Sequence, residues 1–192
     1  GSGYLGWNVQ QHTSLGNVWA DYRTSVGQRR RIELADGTQI NLNTHTAIDV
    51  AFDGRQRLIR LREGEVLIHT GTRGGHLPFY VETRQGRVKA LGTRFTVRQL
   101  PDATRVGVLE ERVEISPGDQ PELRRTMGAG ESAEFDRHNV RPAQRYGGVQ
   151  AAWVDGQLIV LDARLGEVID ELARYRPGVL HCDPASAGLR VS

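Results

Sequence analysis

Two adjacent residues in this 192-residue chain could do chemistry without help from a substrate: Gly92 and Thr93. A threonine hydroxyl that follows a glycine can attack the preceding carbonyl carbon when the turn is strained. The resulting N–O acyl shift leaves an ester, and water can then split the chain between Gly92 and Thr93. The plainer reading of the same pair is a turn in which glycine supplies backbone freedom. Other candidates are weaker. The six histidines (His12, His45, His69, His76, His138 and His181) never pair at a spacing that suits one helix face or one metal site. His181 and Cys182 are neighbours, so in a strand they point to opposite faces. Asp49 with Asp53, and Glu63 with Glu65, have the spacing of catalytic carboxylate pairs, but strand ends and turns place charge at such positions anyway. Thr70-Gly71-Thr72-Arg73-Gly74-Gly75 is glycine-rich and lacks the lysine and following helix of a phosphate loop. Hydrolase, kinase and dinucleotide motifs are absent. The expectation is a non-enzymatic protein without metal or cofactor, whose one candidate reaction is intramolecular.

Composition narrows the class further. At 38% hydrophobic and 25% charged residues the chain reads as a globular protein with an ordinary core. Net charge is +2, and the basic residues are nearly all arginine, Lys89 being the single lysine. Arg29-Arg30-Arg31 is the one dense basic run, and acidic residues are interspersed elsewhere, so no nucleic-acid face is expected. Cys182 is the single cysteine, which leaves no intramolecular disulfide. No apolar run reaches the ~18 residues of a membrane span, and no signal peptide is present. Gly1-Ser2-Gly3 reads as an added scar, and the chain ends inside an apolar alternation at Arg190-Val191-Ser192, so it is expected to be a fragment.

The elements that must hold Gly92 and Thr93 are strands. From about Arg30 to Phe135 apolar residues alternate with polar ones: Ile32 and Leu34, Ile40 and Leu42, Ile48, Val50 and Phe52, then Leu61, Val66 and Ile68. The pattern continues through Phe79 and Val81, Val88 and Ala90, Phe95 and Val97, Val106 and Val108, and Val113 and Ile115. Asp36-Gly37 and Asp53-Gly54 are hairpin signals, and many short strands at this spacing predict a sandwich or β-roll. The pattern also repeats. Leu42-Asn43-Thr44-His45 resembles Leu91-Gly92-Thr93-Arg94, 49 residues later, and Leu61 to Ile68 resembles Val108 to Ile115, 47 residues later. Two similar β units covering each other's apolar faces are expected.

Near Pro142 the character changes. Tyr146-Gly147-Gly148 reads as a linker, and Gln157 to Leu161 as a short strand. From Arg164 to Tyr175 the period is helical, with Leu165, Val168, Ile169, Leu172 and Tyr175 on one stripe, Asp162 placed to cap the start and Pro177-Gly178 to end it. Val179 to Cys182 and Leu189 to Val191 read as two further strands, which gives a β-α-β-β fragment too small to hold a core alone.

In this order the motifs resemble the FecR family of sigma-factor regulators. Tyr22-Arg23-Thr24 with Gly27 and Arg29-Arg30 looks like the family's opening segment. Leu34-Ala35-Asp36-Gly37-Thr38 with Leu42-Asn43-Thr44 resembles its most recognisable motif. Leu61 to Val66, Pro78 to Thr83, Ala90 to Val97, Glu110 to Val113, and Trp153 ahead of Leu158 follow in the family's order. One departure is Glu111, which stands where the family commonly has glycine. The resemblance implies a mainly β fold, a FecR-like repeated β domain at 22–141 after a juxtamembrane segment at 1–21. A linker at 142–156 and a partial β-α-β subdomain at 157–192, like the secretin and TonB N-terminal domain, would follow. It implies the periplasmic portion of a single-pass inner-membrane protein, with a cytoplasmic segment elsewhere that meets an extracytoplasmic-function sigma factor. The signal would come from the N-terminal signalling domain of a TonB-dependent siderophore receptor, and periplasmic and intramembrane proteases would free the cytoplasmic segment. Some relatives self-cleave at the matching Gly-Thr. Leu158, Val160, Leu189 and Val191 are the expected receptor-binding residues, by strand addition to an unpaired edge at Leu189 to Ser192. The alternative is a β domain that binds envelope polysaccharide or peptidoglycan, with Trp7, Trp19 or Trp153 as stacking platforms.

Overall fold

Short alternating strands with polar turns leave each strand one apolar face, and such strands are stable only when several sheets or layers bury those faces together. The computed structural model, which describes residues 20–192 except Gly74, Leu91, Ala143 and Gly147 (and only the backbone of 148–150), realises this as two seven-stranded sheets around one core. The strands are β1 (Tyr22–Arg23), β2 (Arg30–Glu33), β3 (Gln39–Leu42), β4 (Ala47–Phe52), β5 (Arg57–Glu63), β6 (Glu65–His69), β7 (Phe79–Glu82) and β8 (Gly86–Ala90). They continue as β9 (Arg94–Gln99), β10 (Thr104–Glu110), β11 (Arg112–Pro117), β12 (Arg125–Gly128), β13 (Glu131–Phe135) and β14 (Gln144–Arg145). One sheet runs β1-β4-β5-β7-β8-β11-β12 and the other β14-β13-β10-β9-β6-β3-β2. Every strand pair is antiparallel except β5 with β7, whose connection passes through β6 in the opposite sheet.

The core draws equally on both sheets. Ile48, Ile59, Phe79, Val81 and Ile115 come from one, and Ile40, Ile68, Phe95, Val97 and Val106 from the other, all at most 1% exposed. Each such side chain contributes about 1.5–3 kcal/mol relative to remaining in water. Aspartates hold the turns open at the ends. Asp36 accepts from the Thr38 N–H at 2.9 Å and from Arg57 Nη1 at 2.9 Å, and Asp53 accepts from the N–H groups of Arg55 and Gln56 at 2.7 and 2.8 Å.

The repeat is visible in register. In the first copy β4 and β5 form a hairpin in one sheet, while the flanking β3 and β6 pair with each other in the other sheet. In the second copy the hairpin is β9 and β10, the flanking pair is β8 and β11, and the sheets are exchanged. Val50 faces Ile59 and Val97 faces Val106, so both members shift by 47 residues, and a bulge falls at the same place in each hairpin. The copies therefore lie side by side, each giving two adjacent strands to each sheet. Glu111 completes the match. It takes φ +59, the left-handed conformation that Gly64 (φ +85) takes 47 residues earlier, so the family's turn survives the departure.

Beyond β13 the chain makes one bridge, Phe135 with Val140, then β14, and a 3-10 helix at Gly148–Asp155. Tyr146 is buried: its hydroxyl lies 2.7 Å from Thr96 Oγ1, and its ring fills the space that Gly107 leaves by having no Cβ. Helix α1 (Leu165–Ala173) is bracketed by β15 (Ala163–Arg164) and β16 (Arg190–Val191), which pair antiparallel. The expected strands at Gln157 to Leu161 and Val179 to Cys182 are absent. These runs pair with no strand, and Leu158, Ile159, Leu161 and Val179 are all exposed. At the edge expected at Leu189 to Ser192, Arg190 and Val191 lie opposite Arg164 and Ala163, so β16 is paired on one side by β15 and is an edge strand on the other. Nor does Asp162 cap the helix. Arg164 is the N-cap and its N–H reaches Glu167 Oε2 at 3.3 Å, while Asp162 takes φ +50 and pairs with Arg190 at 2.7 Å. No helix among the described residues is long and apolar enough to cross a membrane.

Candidate functional site

Gly92 and Thr93 form the bend between β8 and β9. Gly92 has φ +77, is exposed, and has open space where a Cβ would sit, so conformation rather than crowding selects glycine there. Thr93 is fully buried. Its hydroxyl donates to the Arg112 carbonyl at 2.6 Å, its N–H donates to Thr70 Oγ1 at 2.9 Å, and its carbonyl accepts from the Thr70 N–H at 3.1 Å. The first copy holds a counterpart at His45-Thr46. His45 has φ +46, the Thr46 hydroxyl lies 3.2 Å from the Glu65 carbonyl, and Thr24 makes the same pair of bonds to Thr46 that Thr70 makes to Thr93. A buried threonine clasp closes each copy, and only the second carries glycine before the threonine.

A second cluster joins α1 to the β module. Glu171 accepts from Arg98 Nη1 at 2.7 Å and from Arg174 Nη1 at 2.5 Å, and Arg174 also reaches Glu65 Oε2 at 3.1 Å. Asn43 Nδ2 donates to Glu65 Oε2 at 3.0 Å and to the Tyr175 hydroxyl at 2.8 Å, and the Thr44 hydroxyl donates to the Arg174 carbonyl at 2.9 Å. Gly27, at φ +77, lies so close to the Tyr175 carbonyl that a Cβ would come within 2.8 Å of that oxygen. Burial works to raise the Glu171 carboxyl, but Arg98 and Arg174 outweigh it and hold the group below the usual glutamate range. Burial likewise pushes Arg174 down, and Glu65 with Glu171 more than reverses this. No residue of α1 is fully buried, so this polar latch carries the attachment of the helix.

The sequence did not point to the latch. Its members are up to 132 residues apart, and polar contacts leave no periodic trace. The one local hint was Glu171 three residues before Arg174 at the end of a predicted helix.

The expected receptor-binding residues do not form one strand. Leu158 and Val160 lie in an irregular segment, Leu189 is exposed before β16, and Val191 sits opposite Ala163. They do share a chemical character with their neighbours. Of the eight large hydrophobic residues that stand exposed among the described residues, six (Leu158, Ile159, Leu161, Leu172, Val179 and Leu189) fall in this C-terminal stretch.

The remaining candidates separate. Asp49 pairs with Arg62 at 2.5 Å while Asp53 holds its own turn, and Glu65 belongs to the latch while Glu63 lies 3.9 Å from His45. Among the described residues no three His, Cys, Asp or Glu side chains are grouped to hold a metal. Trp153 is 7% exposed and its carbonyl accepts from Arg29, so it presents no open ring for stacking, and Trp7 and Trp19 lie outside the described residues.

No curated protein sequence matches the chain. Solved structures do, among them two, each of a candidate anti-sigma factor from Parabacteroides distasonis. The one at 1.65 Å resolution is 25% identical with a TM-score of 0.70, covering 88% of this chain and 82% of its own. The one at 2.50 Å is 27% identical with a TM-score of 0.67, covering 80% and 73%. The FecR protein profile matches residues 20–114, which span both copies as far as β11. The profile match and the two structural likenesses agree, and the β module of this chain belongs to the FecR family of sigma-factor regulators.

Proposed function

We propose that the chain is the signal-receiving portion of a sigma-factor regulator, that it lies in the periplasm, and that it docks the signalling domain of a TonB-dependent receptor through its C-terminal unit. The observation that carries this reading is the concentration of exposed Leu158, Ile159, Leu161, Val179 and Leu189 in the small C-terminal β-α-β unit, which polar contacts tie to the main module. Exposed apolar side chains concentrated in this way are characteristic of a surface that a partner covers. The unit has the size and element order of a partial secretin and TonB N-terminal domain, and its separation at 157–192 from the β domain at 22–141 belongs to the same reading. Downstream, the signal passes to an extracytoplasmic-function sigma factor through a segment outside this chain, with proteolysis as the releasing step.

The Gly92–Thr93 bond is the proposed self-cleavage point. Thr93 Oγ1 bonds to the Gly92 carbonyl carbon, the C–N bond breaks, and the proton of the hydroxyl passes to the freed amine. Water then hydrolyses the ester, which returns the Thr93 hydroxyl and leaves a carboxylate on Gly92.

Calorimetric titration of the chain with a purified receptor signalling domain tests the docking reading. Saturable binding that Leu158→Glu with Leu189→Glu abolishes, with the β core's melting unchanged, is the expected result. Unchanged binding by that double variant would place the partner elsewhere.

A further inference from the structure

The C-terminal end of α1 and the rim of the β module enclose an open cleft of about 560 Å³ whose lining includes His45, Glu63, Arg84, Arg98, Arg174 and Arg176. Four guanidinium groups share that lining with a single carboxylate. Arg84 and Arg176 are exposed and make no ion pair among the described residues, Arg84 donating instead to the Arg62 carbonyl at 3.2 Å. Arg98 and Arg174 meet Glu65 and Glu171 through Nη1 alone. An arginine carries five N–H donors in a fork that fits carboxylates two at a time, so the lining holds a surplus of charged donors. Val26, Leu100, Pro101 and Ala173 add apolar wall between them.

We propose that this cleft binds an acidic peptide segment, its carboxylates meeting Arg84, Arg98, Arg174 and Arg176 and its aliphatic stems lying on the apolar wall. The size argues for a peptide over a lone inorganic anion, because at about 30 Å³ per water the cleft holds on the order of twenty waters. Nucleic acid fits less well, since the lining holds no Trp, Tyr or Phe ring on which successive bases could stack. The site is distinct from the apolar C-terminal surface and does not depend on a receptor docking there.

Occupancy acts on the latch. A ligand carboxylate competes with Glu171 for Arg98 and Arg174, so binding weakens the hold of those arginines on Glu171, and neutralising Glu171 frees them for the ligand. Charge substitutions on the two sides of that competition therefore move affinity in opposite directions, which a merely structural role would not do.

The test is fluorescence anisotropy of a labelled tetraglutamate peptide with the full 192-residue chain at low ionic strength. Saturable binding is expected, weakened about tenfold or more by Arg84→Gln with Arg176→Gln and lost at about 1 M salt, where screening reaches a few ångströms. Glu171→Gln tightens binding severalfold. Glu33→Gln, an equal charge change on β2 outside the cleft, leaves it unchanged. Failure of the chain to bind the peptide overturns the proposal. So does equal tightening by Glu33→Gln, or displacement of the peptide by inorganic phosphate or oligothymidylate at matched charge concentration.

Discussion

Thr46 and Thr93 stand at the same point of the two copies, each with its hydroxyl beside the carbonyl nineteen residues further along, Glu65 at 3.2 Å and Arg112 at 2.6 Å. The clasp is thus a property of the repeat, and what sets the second site apart is Gly92 in place of His45. Intact-mass analysis of the purified chain should show two fragments that meet between Gly92 and Thr93. Thr93→Ala should give one mass, and Thr46→Ala should leave the fragment pattern unchanged. A single mass for the unaltered chain would reduce the second clasp to the structural role of the first.

Acid should open the latch. Glu171 is lowered in the folded state against an ordinary value of 4.5, so its contribution is complete above that pH and drains away as pH falls through the lowered folded-state value. The groups that face it are Arg98 on β9 and Arg174 at the helix end, with Glu65 and Tyr175 beside them. Amide exchange of residues 165–175 should lose protection below about pH 4.5 while the central strands keep theirs, and Glu171→Gln should remove that pH dependence. Asp36 is also held low: burial opposes, but Thr38 and Arg57 prevail. It lies in the β2–β3 turn, so its protonation reads out at amides of that turn and not at those of α1.

Much of this could be read in the sequence. Alternation and Asp-Gly turns placed the strands of both copies, because period two and turn chemistry are local properties. Alternation gives the face of a strand but not its sheet, so the exchange of sheets between copies was invisible. The C-terminal strands misled for a related reason. Gln157 to Leu161 and Val179 to Cys182 are rich in apolar residues but pair with no strand, and strand formation is decided by pairing. The latch was hidden because Asn43, Glu65, Arg98 and Glu171 meet only once the chain has folded.

Glu111 and Gly64 invite a paired substitution. A Cβ at Gly64 would approach Thr46 Oγ1 to 2.2 Å and its Cα to 2.5 Å, so Gly64→Ala should cost about 3 kcal/mol or more through crowding added to a left-handed backbone. Glu111 already sits at φ +59, and relief of roughly 1–2 kcal/mol of that strain outweighs glycine's entropic cost. Glu111→Gly should therefore raise stability by about 0.5 kcal/mol. Urea unfolding of both variants checks the two signs.

Gly107 makes room for Tyr146. A Cβ there would lie 2.3–2.6 Å from the ring, so Gly107→Ala should displace the tyrosine and cost about 1–3 kcal/mol. Burial pushes the Tyr146 hydroxyl up to about 12, against the pull of its Thr96 hydrogen bond. In the variant, ultraviolet titration should find that group moved toward 10, its ordinary value.

The exchange of sheets also decides what a cut at Gly92–Thr93 would do. The bond joins β8, held between β7 and β11 in one sheet, to β9, held between β6 and β10 in the other. Severing it leaves both strands with all their neighbours, the upstream piece joined to the downstream one by one strand pair in each sheet, β8 with β11 and β6 with β9. Such a molecule would run as one particle on a sizing column and as two bands in denaturant. It would have exchanged a covalent backbone for a joint of hydrogen bonds and core contacts, one that diffusion leaves intact and mechanical tension along the chain can part.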